Sequence, residues 1–405
     1  MIRTFLLAFA VLFCVCATRS EAAPPNPARP PTILVSIDGF RADYLDRGIT
    51  PVMSGLAAGG ARAAMRPSFP SKTFPNHYTL VTGLRPDRNG MVENTFEDAR
   101  RPGVTFKMSN RDEVRDRFWW DEGTPIWVTA EQAGLVTAPI FWPGAEAAIH
   151  GVRPGHYVVF DMATPNDKRV DDLLALLDQP PAQRPAFLTL YFDTVDTAGH
   201  DYGPGAAETD RAIAGVDAEV GRLLDGLKAR GIAPNLVIVA DHGMAAISDA
   251  RKLYMDDLLP KAAYRGLSGG AFMTLYPNPG HENEVASALL KAHDHLQCWA
   301  KADIPKRFHY GRNPRVAAYF CLPQTGWTIT TRDYKAKKPE LGNHGFDPYS
   351  PEMAAVFVAN GPAFRHGVVL PAFDNVSVYP LLARLLGVKP VAGDGKLSDT
   401  APGLN

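Results

Sequence analysis

The fold is set by the stretch Thr32-Ile-Leu-Val-Ser-Ile-Asp-Gly-Phe40, a short apolar and β-branched run that leads into a carboxylate. A run of this kind is typical of a strand buried on both faces of a parallel sheet, because crossover helices cover both sides of such sheets. Functional sites in α/β proteins gather at the carboxyl ends of the strands. Asp38, directly after the predicted strand, is therefore a candidate site residue.

Apolar runs of the same kind recur along the chain, at residues 135–141, 187–192, 236–240 and 354–358. Helical segments lie between them, and the clearest is 208–230. Charged residues fill one face of that segment, and the other carries apolar residues at helical spacing, namely Ile213, Val216, Val220, Leu223, Leu224 and Leu227. This alternation predicts an α/β fold with a mostly parallel central sheet and helices on both faces.

The two ends of the chain differ from its middle. Residues 1–23 have the pattern of a secretory signal peptide, with an apolar run too short to span a membrane, and 24–31 form a Pro-rich leader. No internal repeat interrupts 32–390, so a single catalytic domain is expected there, followed by a C-terminal tail at 391–405. We expect an exported protein, periplasmic or secreted, without a membrane anchor.

Composition narrows the partners of the protein. The 405 residues are 46% hydrophobic and carry a net charge of -1, which fits a globular protein with a large core. The near-neutral charge argues against a protein that coats nucleic acid, and without a heptad pattern we expect a monomer. Cys298 and Cys321 remain after signal removal and predict one disulfide in an oxidising compartment, with a free buried pair as the alternative.

A candidate nucleophile lies in Ser71-Lys-Thr-Phe-Pro-Asn-His-Tyr-Thr-Leu-Val-Thr-Gly83. Turn residues on both sides of Thr73 favour a fixed loop that opens a helix, where free backbone N–H groups and the helix dipole favour an anion. A threonine hydroxyl is a poor nucleophile until a base or a metal ion activates it. Without metal ligands elsewhere, a Pro-rich surface turn would explain this stretch equally well.

Metal-type ligands follow several of the predicted strands. Asp196 and His200 come after the run at 187–192, Asp241 and His242 come after the run at 236–240, and His344 lies between glycines on a downstream loop. Each could separately be a structural histidine or a helix cap. Together with Asp38 they form a mixed carboxylate and imidazole set, which suits zinc better than magnesium or calcium. Six ligands and a threonine indicate a two-metal site for phosphoryl transfer.

A set of short motifs in a fixed order resembles the nucleotide pyrophosphatase/phosphodiesterase family of the alkaline phosphatase superfamily. They are Ser36-Ile-Asp-Gly-Phe-Arg41, Pro70-Ser-Lys-Thr-Phe-Pro-Asn-His77, Thr82-Gly-Leu84, Thr124-Pro-Ile-Trp127, Phe141-Trp-Pro-Gly144, Asp196-Thr-Ala-Gly-His200, Asp241-His-Gly-Met244 and Asn343-His-Gly345. The resemblance covers residues 32–390 and implies an alkaline phosphatase-like fold. We expect a bacterial exported member of the family.

The resemblance implies a metal and ligand role for each matching position. Two Zn²⁺ ions per chain are implied, the first held by Asp38, Thr73, Asp241 and His242 and the second by Asp196, His200 and His344. Thr73 matches the nucleophile. Asn94 matches an asparagine that hydrogen-bonds a non-bridging phosphate oxygen, with the backbone N–H of Phe74 as its companion. Phe74 and Tyr191 match aromatic positions around the organic group of the substrate, although ordinary core packing is the alternative for both.

The expected activity is zinc-dependent hydrolysis of phosphodiester or pyrophosphate bonds of nucleotides, which releases nucleoside 5′-monophosphates through a phosphothreonine intermediate. The expected substrate is thus a small-molecule phosphodiester. Hydrolysis of phospholipid or phosphorylcholine esters by the same machinery is one alternative. A catalytically dead, zinc-bound protein that only binds its ligand is another, although its nucleophile and ligands are intact.

One other feature has the spacing of a functional motif. Gly266-Leu-Ser-Gly-Gly270 fits the spacing of a serine hydrolase elbow, but that elbow needs a strand before the serine and a helix after it. A helix-like run at 254–264 before it and a β-rich run at 271–276 after it predict the reverse order. His77 has no ligand-like context and is expected to be structural or exposed.

Overall fold

The central sheet is built around the strand predicted at Thr32–Ile37. The computed structural model describes residues 29–336 and 338–405, so the predicted signal peptide and most of the leader lie outside the described residues. The strands are β1 (Thr32–Ile37), β2 (Ala61–Arg66), β3 (Thr95–Glu97), β4 (Thr105–Lys107), β5 (Thr137–Pro139), β6 (Phe187–Phe192), β7 (Asn235–Val239), β8 (Ala245–Ala246), β9 (Lys252–Tyr254), β10 (Tyr264–Ser268), β11 (Met273–Pro277), β12 (Leu296–Ala300), β13 (Tyr319–Pro323), β14 (Thr328–Thr330), β15 (Gly342–Asn343), β16 (Ala355–Asn360), β17 (Val368–Val369) and β18 (Phe373–Asp374).

The central sheet has the order β17-β2-β16-β7-β1-β6-β5, with β18 also paired to β2. β1 lies parallel to β6 and to β7, and β5 lies parallel to β6. The predicted α/β fold with a mostly parallel sheet is confirmed. The run predicted at 354–358 forms β16, which is antiparallel to both β7 and β2. β2 escaped prediction because its buried residues alternate with Arg62, Ala64 and Arg66 instead of forming a continuous apolar run.

Helices cover the central sheet in two groups. They are α1 (Pro51–Ala58), α2 (Thr73–Thr82), α3 (Pro86–Asn89), α4 (Arg111–Arg115), α5 (Ile126–Gln132), α6 (Asn166–Leu177), α7 (Thr194–Tyr202), α8 (Ala207–Ala229), α9 (Glu282–Leu289) and α10 (Val378–Leu386). α8 packs against α1, α6 and α7, whereas α10 packs against α2 and α5. The helix predicted at 208–230 is thus confirmed as α8. No helix among the described residues combines the length and apolar character needed to cross a membrane.

A second, antiparallel sheet of order β10-β11-β13-β12 lies between β7 and β16 in the sequence and was not predicted. Cys298 and Cys321 face each other on β12 and β13 and form the predicted disulfide. Ser268 ends β10 and β11 follows it, so the glycine-rich motif around Ser268 is a hairpin between two strands. The prediction of a helix-like run at 254–264, directly before that motif, was wrong in part, because β10 begins at Tyr264. The conclusion that the motif is no hydrolase elbow is unchanged, since the element directly after the serine is strand β11 and not a helix.

Candidate active site

The predicted ligands meet at the carboxyl ends of the central strands. Asp38 follows β1 directly, Asp241 lies just after β7, and Asp196 is in the first turn of α7, which follows β6. β1 pairs in parallel with both β6 and β7, so the ends of these strands lie side by side. Asp38 and Asp241 are buried and Asp196 is half-buried.

The structure brings the first predicted ligand group together around His242. The Nε2 atom of His242 lies 2.9 Å from Asp241 Oδ2 and 3.4 Å from Asp38 Oδ1. The hydroxyl of Thr73 lies 3.4 Å from the same nitrogen. Three possible ligand side chains and the candidate nucleophile therefore surround one small volume.

The second predicted group is adjacent to the first. Asp196 Oδ2 lies 3.5 Å from His200 Nε2, and Asp196 Oδ1 lies 3.8 Å from His344 Nε2. The rings of His242 and His344 stack with centroids 3.5 Å apart. Ligand atoms of Asp196, His242 and His344 all lie within 4.8 Å of one another. All six ligands proposed from sequence thus belong to one cluster, called here the ligand cluster.

The three histidines of the ligand cluster share one tautomer. In each, Nδ1 lies 2.9 Å from a backbone carbonyl, that of Gly342 for His200, Gly243 for His242 and Ser71 for His344. A carbonyl can only accept, so Nδ1 carries a proton and Nε2 is the nitrogen left to face the cluster. Each Nε2 faces a carboxylate of the cluster. Metal-binding histidines are held in the same way, with the second ring nitrogen donating to a carbonyl.

Among the described residues, the carboxylates of the ligand cluster form no salt bridge with a lysine or an arginine, and their close ionisable neighbours are histidines. Asp38 Oδ1, Asp196 Oδ1 and Asp241 Oδ2 are buried and accept no hydrogen bond from the described residues. Burial raises the pKa of Asp38 and of Asp241 well above the usual range, and the neighbouring carboxylates raise it further. Buried anions at this spacing fit cation binding, because a bound cation would neutralise them.

His77 also lies beside Asp38 and Asp241, close enough to count as a possible ligand. Both of its ring nitrogens are occupied: Nδ1 donates to the Thr73 carbonyl at 2.9 Å, and Nε2 accepts from the Ser36 hydroxyl at 2.9 Å. Burial lowers the pKa of His77 to about 3, so the ring is neutral. His77 is therefore a buried support for the backbone of Thr73, of the structural kind that its sequence context indicated.

Thr73 begins helix α2 and is 7% exposed. The loop before it is tied down by Asn76, whose side chain accepts from the backbone N–H of Ser68 at 2.7 Å and donates to the carbonyl of Pro70 at 3.0 Å. The hydroxyl of Thr73 is therefore held at a helix N-terminus, where an anion is favoured.

Asn94 contacts the first turn of the same helix. Its side-chain oxygen accepts the backbone N–H of Phe74 at 3.0 Å. The N–H that we expected to act beside Asn94 as a separate donor is therefore bonded to Asn94 itself. The side-chain amide nitrogen of Asn94 takes no part in this bond and remains available as a donor.

The two predicted substrate-contacting aromatics differ in their surroundings. Phe74 is 9% exposed, and its ring centroid lies 5.9 Å from that of Trp120. Tyr191 is 7% exposed, and its hydroxyl donates to Asp38 Oδ2 at 2.6 Å. This bond orients a ligand of the cluster. It was not predicted, because a tyrosine within an apolar strand shows in the sequence no partner for its hydroxyl.

Lys72 was overlooked as a site residue. It precedes Thr73, is half-buried, and has its ammonium group 5.4 Å from the ring centroid of Phe272. Burial lowers its pKa, while Glu93 and Asp196 act in the opposite direction. The sequence did contain a sign of this role, because a lysine next to a candidate nucleophile places a cation where a substrate anion would lie.

Sequence comparison identifies relatives over most of the chain. Residues 32–347 match the family described as type I phosphodiesterase / nucleotide pyrophosphatase. An uncharacterized pyrophosphatase/phosphodiesterase of Schizosaccharomyces pombe is 36% identical over 392 residues, which cover 91% of this chain and 79% of that protein. Ectonucleotide pyrophosphatase/phosphodiesterase family member 3 of Rattus norvegicus is 35% identical over 394 residues, which cover 94% of this chain and 45% of the relative. This chain thus spans less than half the length of the rat relative.

Solved structures give the same relationship. Murine ectonucleotide pyrophosphatase / phosphodiesterase 5 superposes with a TM-score of 0.88 and 32% identity, over 93% of this chain and 100% of that chain. A second structure of the murine protein is of an inactive threonine-to-alanine variant in complex with AMP, and it superposes equally well.

Proposed function

The chain belongs to the type I phosphodiesterase / nucleotide pyrophosphatase family of hydrolases, and we propose that it hydrolyses phosphodiester or pyrophosphate bonds of nucleotides to release nucleoside 5′-monophosphates. The observation that carries this proposal is the ligand cluster beside Thr73, with three histidines in one tautomer facing three buried or half-buried carboxylates. The AMP complex of the murine relative supports a nucleotide as the substrate.

We propose two zinc ions as the resident metals. Asp38, Thr73, Asp241 and His242 would hold one, and Asp196, His200 and His344 the other. Imidazole nitrogen and carboxylate oxygen suit zinc, and the unpaired carboxylate oxygens fit a cation. When bound, zinc would lower the pKa of a hydroxyl or water and neutralise charge on phosphoryl oxygens.

The residues around Thr73 favour an attack on phosphorus. The Thr73 oxygen forms the new P–O bond, its proton passes to solvent, and the bond from phosphorus to the leaving oxygen breaks. The amide of Asn94 donates to a phosphoryl oxygen, and the start of α2 stabilises negative charge there. Water then cleaves the phosphothreonine, which releases the nucleoside monophosphate and restores the hydroxyl.

The donors near Thr73 favour a diester. A monoester dianion is best met by a charged, bidentate arginine, whereas a diester has one negative charge and a second organic group. Asn94 offers a neutral donor, and Phe74 offers an apolar ring at the edge of the site.

We further propose that the protein works as an exported monomer, periplasmic or secreted, from a bacterium. The signal-like residues 1–23 support export. The disulfide between Cys298 and Cys321 supports it independently, because such bonds persist in oxidising compartments.

The test compares three nitrophenyl substrates on the purified, zinc-loaded chain: a thymidine 5′-monophosphate diester, phosphorylcholine and phosphate. We expect the nucleotide diester to have the highest kcat/KM, by about tenfold or more, which corresponds to roughly 1.4 kcal/mol of transition-state preference. A preference for phosphorylcholine would keep the chemistry and transfer the substrate to phospholipid head groups. No turnover of any substrate, with zinc bound, would favour the ligand-binding protein.

A further inference from the structure

The second sheet reaches the candidate active site through residues 308–320, called here the bridging segment. Three of its aromatic rings surround Phe69, which lies four residues before Thr73: the centroid distances are 4.3 Å to Phe308, 5.4 Å to Tyr310 and 4.9 Å to Phe320. Phe69 is 1% exposed. The bridging segment therefore buttresses the loop that leads into the candidate nucleophile.

The same segment holds the loop that carries Asn94. Arg315 is 1% exposed, and its guanidinium donates to Asp98 Oδ2 at 2.8 Å and to the Gly90 carbonyl at 2.8 Å. It also donates to the carbonyls of Trp119 and Phe118, at 2.9 Å and 3.0 Å. Gly90 and Asp98 bracket Asn94, so one side chain fixes both ends of its loop. This set of contacts is called here the Arg315 clamp.

Two more contacts limit the freedom of Asn94 between those ends. The Tyr310 hydroxyl donates to the Val92 carbonyl at 2.9 Å, and the Met108 N–H donates to the Asn94 carbonyl at 3.0 Å. Gly90 has φ of +78°, and a Cβ there would lie 2.6 Å from Arg315 Nη1. The clamp therefore requires a glycine at this turn.

We propose that the bridging segment sets the separation between Thr73 and Asn94, with Arg315 as the positioning residue for Asn94. It acts through Asn94, since its own guanidinium is bonded to carbonyls and a carboxylate, whereas the side chain of Asn94 contacts the first turn of α2. The inference rests on the proposed function, because a fixed Asn94 matters for rate only if it contacts the reacting phosphate. A displacement of about 1 Å in such a group can cost roughly a hundredfold in rate.

The first test is a double-mutant comparison on the full, zinc-loaded chain with the thymidine nitrophenyl diester. We expect Arg315→Lys to lower kcat/KM by about tenfold or more, mostly in kcat, since lysine offers a point charge instead of the fork that reaches Asp98 and the carbonyls. In an Asn94→Ala background the same change should cost less than about twofold, because the group that it positions is gone. Equal losses in the two backgrounds would overturn the proposal.

Tyr310→Phe is a milder second variant, in case Arg315→Lys fails to fold. It keeps the ring against Phe69 and removes only the bond to Val92. We expect a loss of a few-fold that also vanishes in the Asn94→Ala background. The matched control is Asp217→Ala, which removes a buried cap bonded to the Val52 and Met53 N–H groups. It should lower stability and leave kcat/KM within about twofold.

A second readout needs no activity. Amide hydrogen exchange of residues 91–97 should accelerate in Arg315→Lys and in Tyr310→Phe, and should match the parent chain in Asp217→Ala. If the parent hydrolyses none of the three substrates, the proposed function fails while exchange still decides whether Arg315 holds the loop. Unchanged exchange at 91–97 in both variants would refute the positioning role.

Discussion

The ligand cluster and the Arg315 clamp are both buried and charged, yet they differ in how completely their polar atoms are paired. Arg315 donates to one carboxylate and three carbonyls. In the ligand cluster, Asp38, Asp196 and Asp241 each keep a buried oxygen that accepts no hydrogen bond from the described residues. Buried charge with its partners present stabilises a fold, whereas buried charge that lacks them indicates a bound ligand. Each prediction below tests this contrast.

Metal removal should have the largest effect, and it should act on the ligand cluster alone. Chelation is expected to abolish diester hydrolysis and to lower the stability of the chain, by about 4 kcal/mol for each site at which free zinc had been a thousandfold above its Kd. Activity assays and thermal unfolding, with zinc content measured in parallel, check both effects. Amide exchange around Arg315 should stay as in the loaded chain, and full activity in a metal-free sample would contradict the two-metal proposal.

Thr73→Ala should have the second largest effect. We expect a loss of at least about a thousandfold in kcat, because the attacking oxygen is removed. Zinc content should stay close to that of the parent, since the carboxylates and imidazoles of the cluster remain. Thr79→Ala is the matched control, as Thr79 is a buried threonine of the same helix whose hydroxyl donates to the Pro75 carbonyl at 2.8 Å. More than a few per cent of parental activity in Thr73→Ala would exclude Thr73 as the nucleophile.

Loss of the disulfide should separate stability from activity. Replacing Cys298 and Cys321 by alanine opens a link with a sequence separation of 23, which by chain entropy costs about 3 kcal/mol of unfolding free energy. The bond joins β12 and β13 in the second sheet, and both cysteines pack in a core cluster distinct from the one that holds β1, β6 and β7. Urea unfolding should show the loss, while kcat/KM at 25 °C should change by less than about twofold. A loss of bound zinc would mean that the two regions are coupled.

His77, which lies beside Asp38 and Asp241 of the ligand cluster, makes the free energy of unfolding depend on pH. Its folded pKa of about 3 lies below the unfolded value, so the unfolded chain binds the extra proton and stability falls as pH drops below about 6.5. Between pH 8 and pH 5 this amounts to roughly 2 kcal/mol. We expect His77→Gln, which keeps a donor and an acceptor, to lose that part of the slope in urea unfolding of the metal-free chain. An unchanged slope would mean that His77 takes up its proton over the same pH range in the folded and the unfolded chain.

The contrast also explains what the sequence could predict. Asp38 and Asp241 could be found because a carboxylate at the end of a buried parallel strand has few structural explanations, and β1, β6 and β7 are continuous apolar runs. Arg315 could not be found, since its partners, Asp98 and three backbone carbonyls, lie about 200 residues away in the sequence. The second sheet was missed for a different reason. Its strands have five residues each and differ in burial, from one buried residue in β10 to four in β13, so they share no apolar pattern that marks them as one sheet.

Substitution of Tyr191 should have the smallest effect. It distinguishes two roles for this side chain: the predicted contact of its ring with the substrate, and the observed bond from its hydroxyl to Asp38. Tyr191→Phe keeps the ring and removes the hydroxyl. If the hydroxyl orients Asp38, zinc affinity and kcat should both fall, by about tenfold, while KM for the nucleotide diester stays near the parental value. If the ring instead stacks on the substrate, Phe will preserve all three quantities and only Tyr191→Leu will raise KM. We expect the first outcome, because the ring is 7% exposed and its hydroxyl lies 2.6 Å from Asp38 Oδ2.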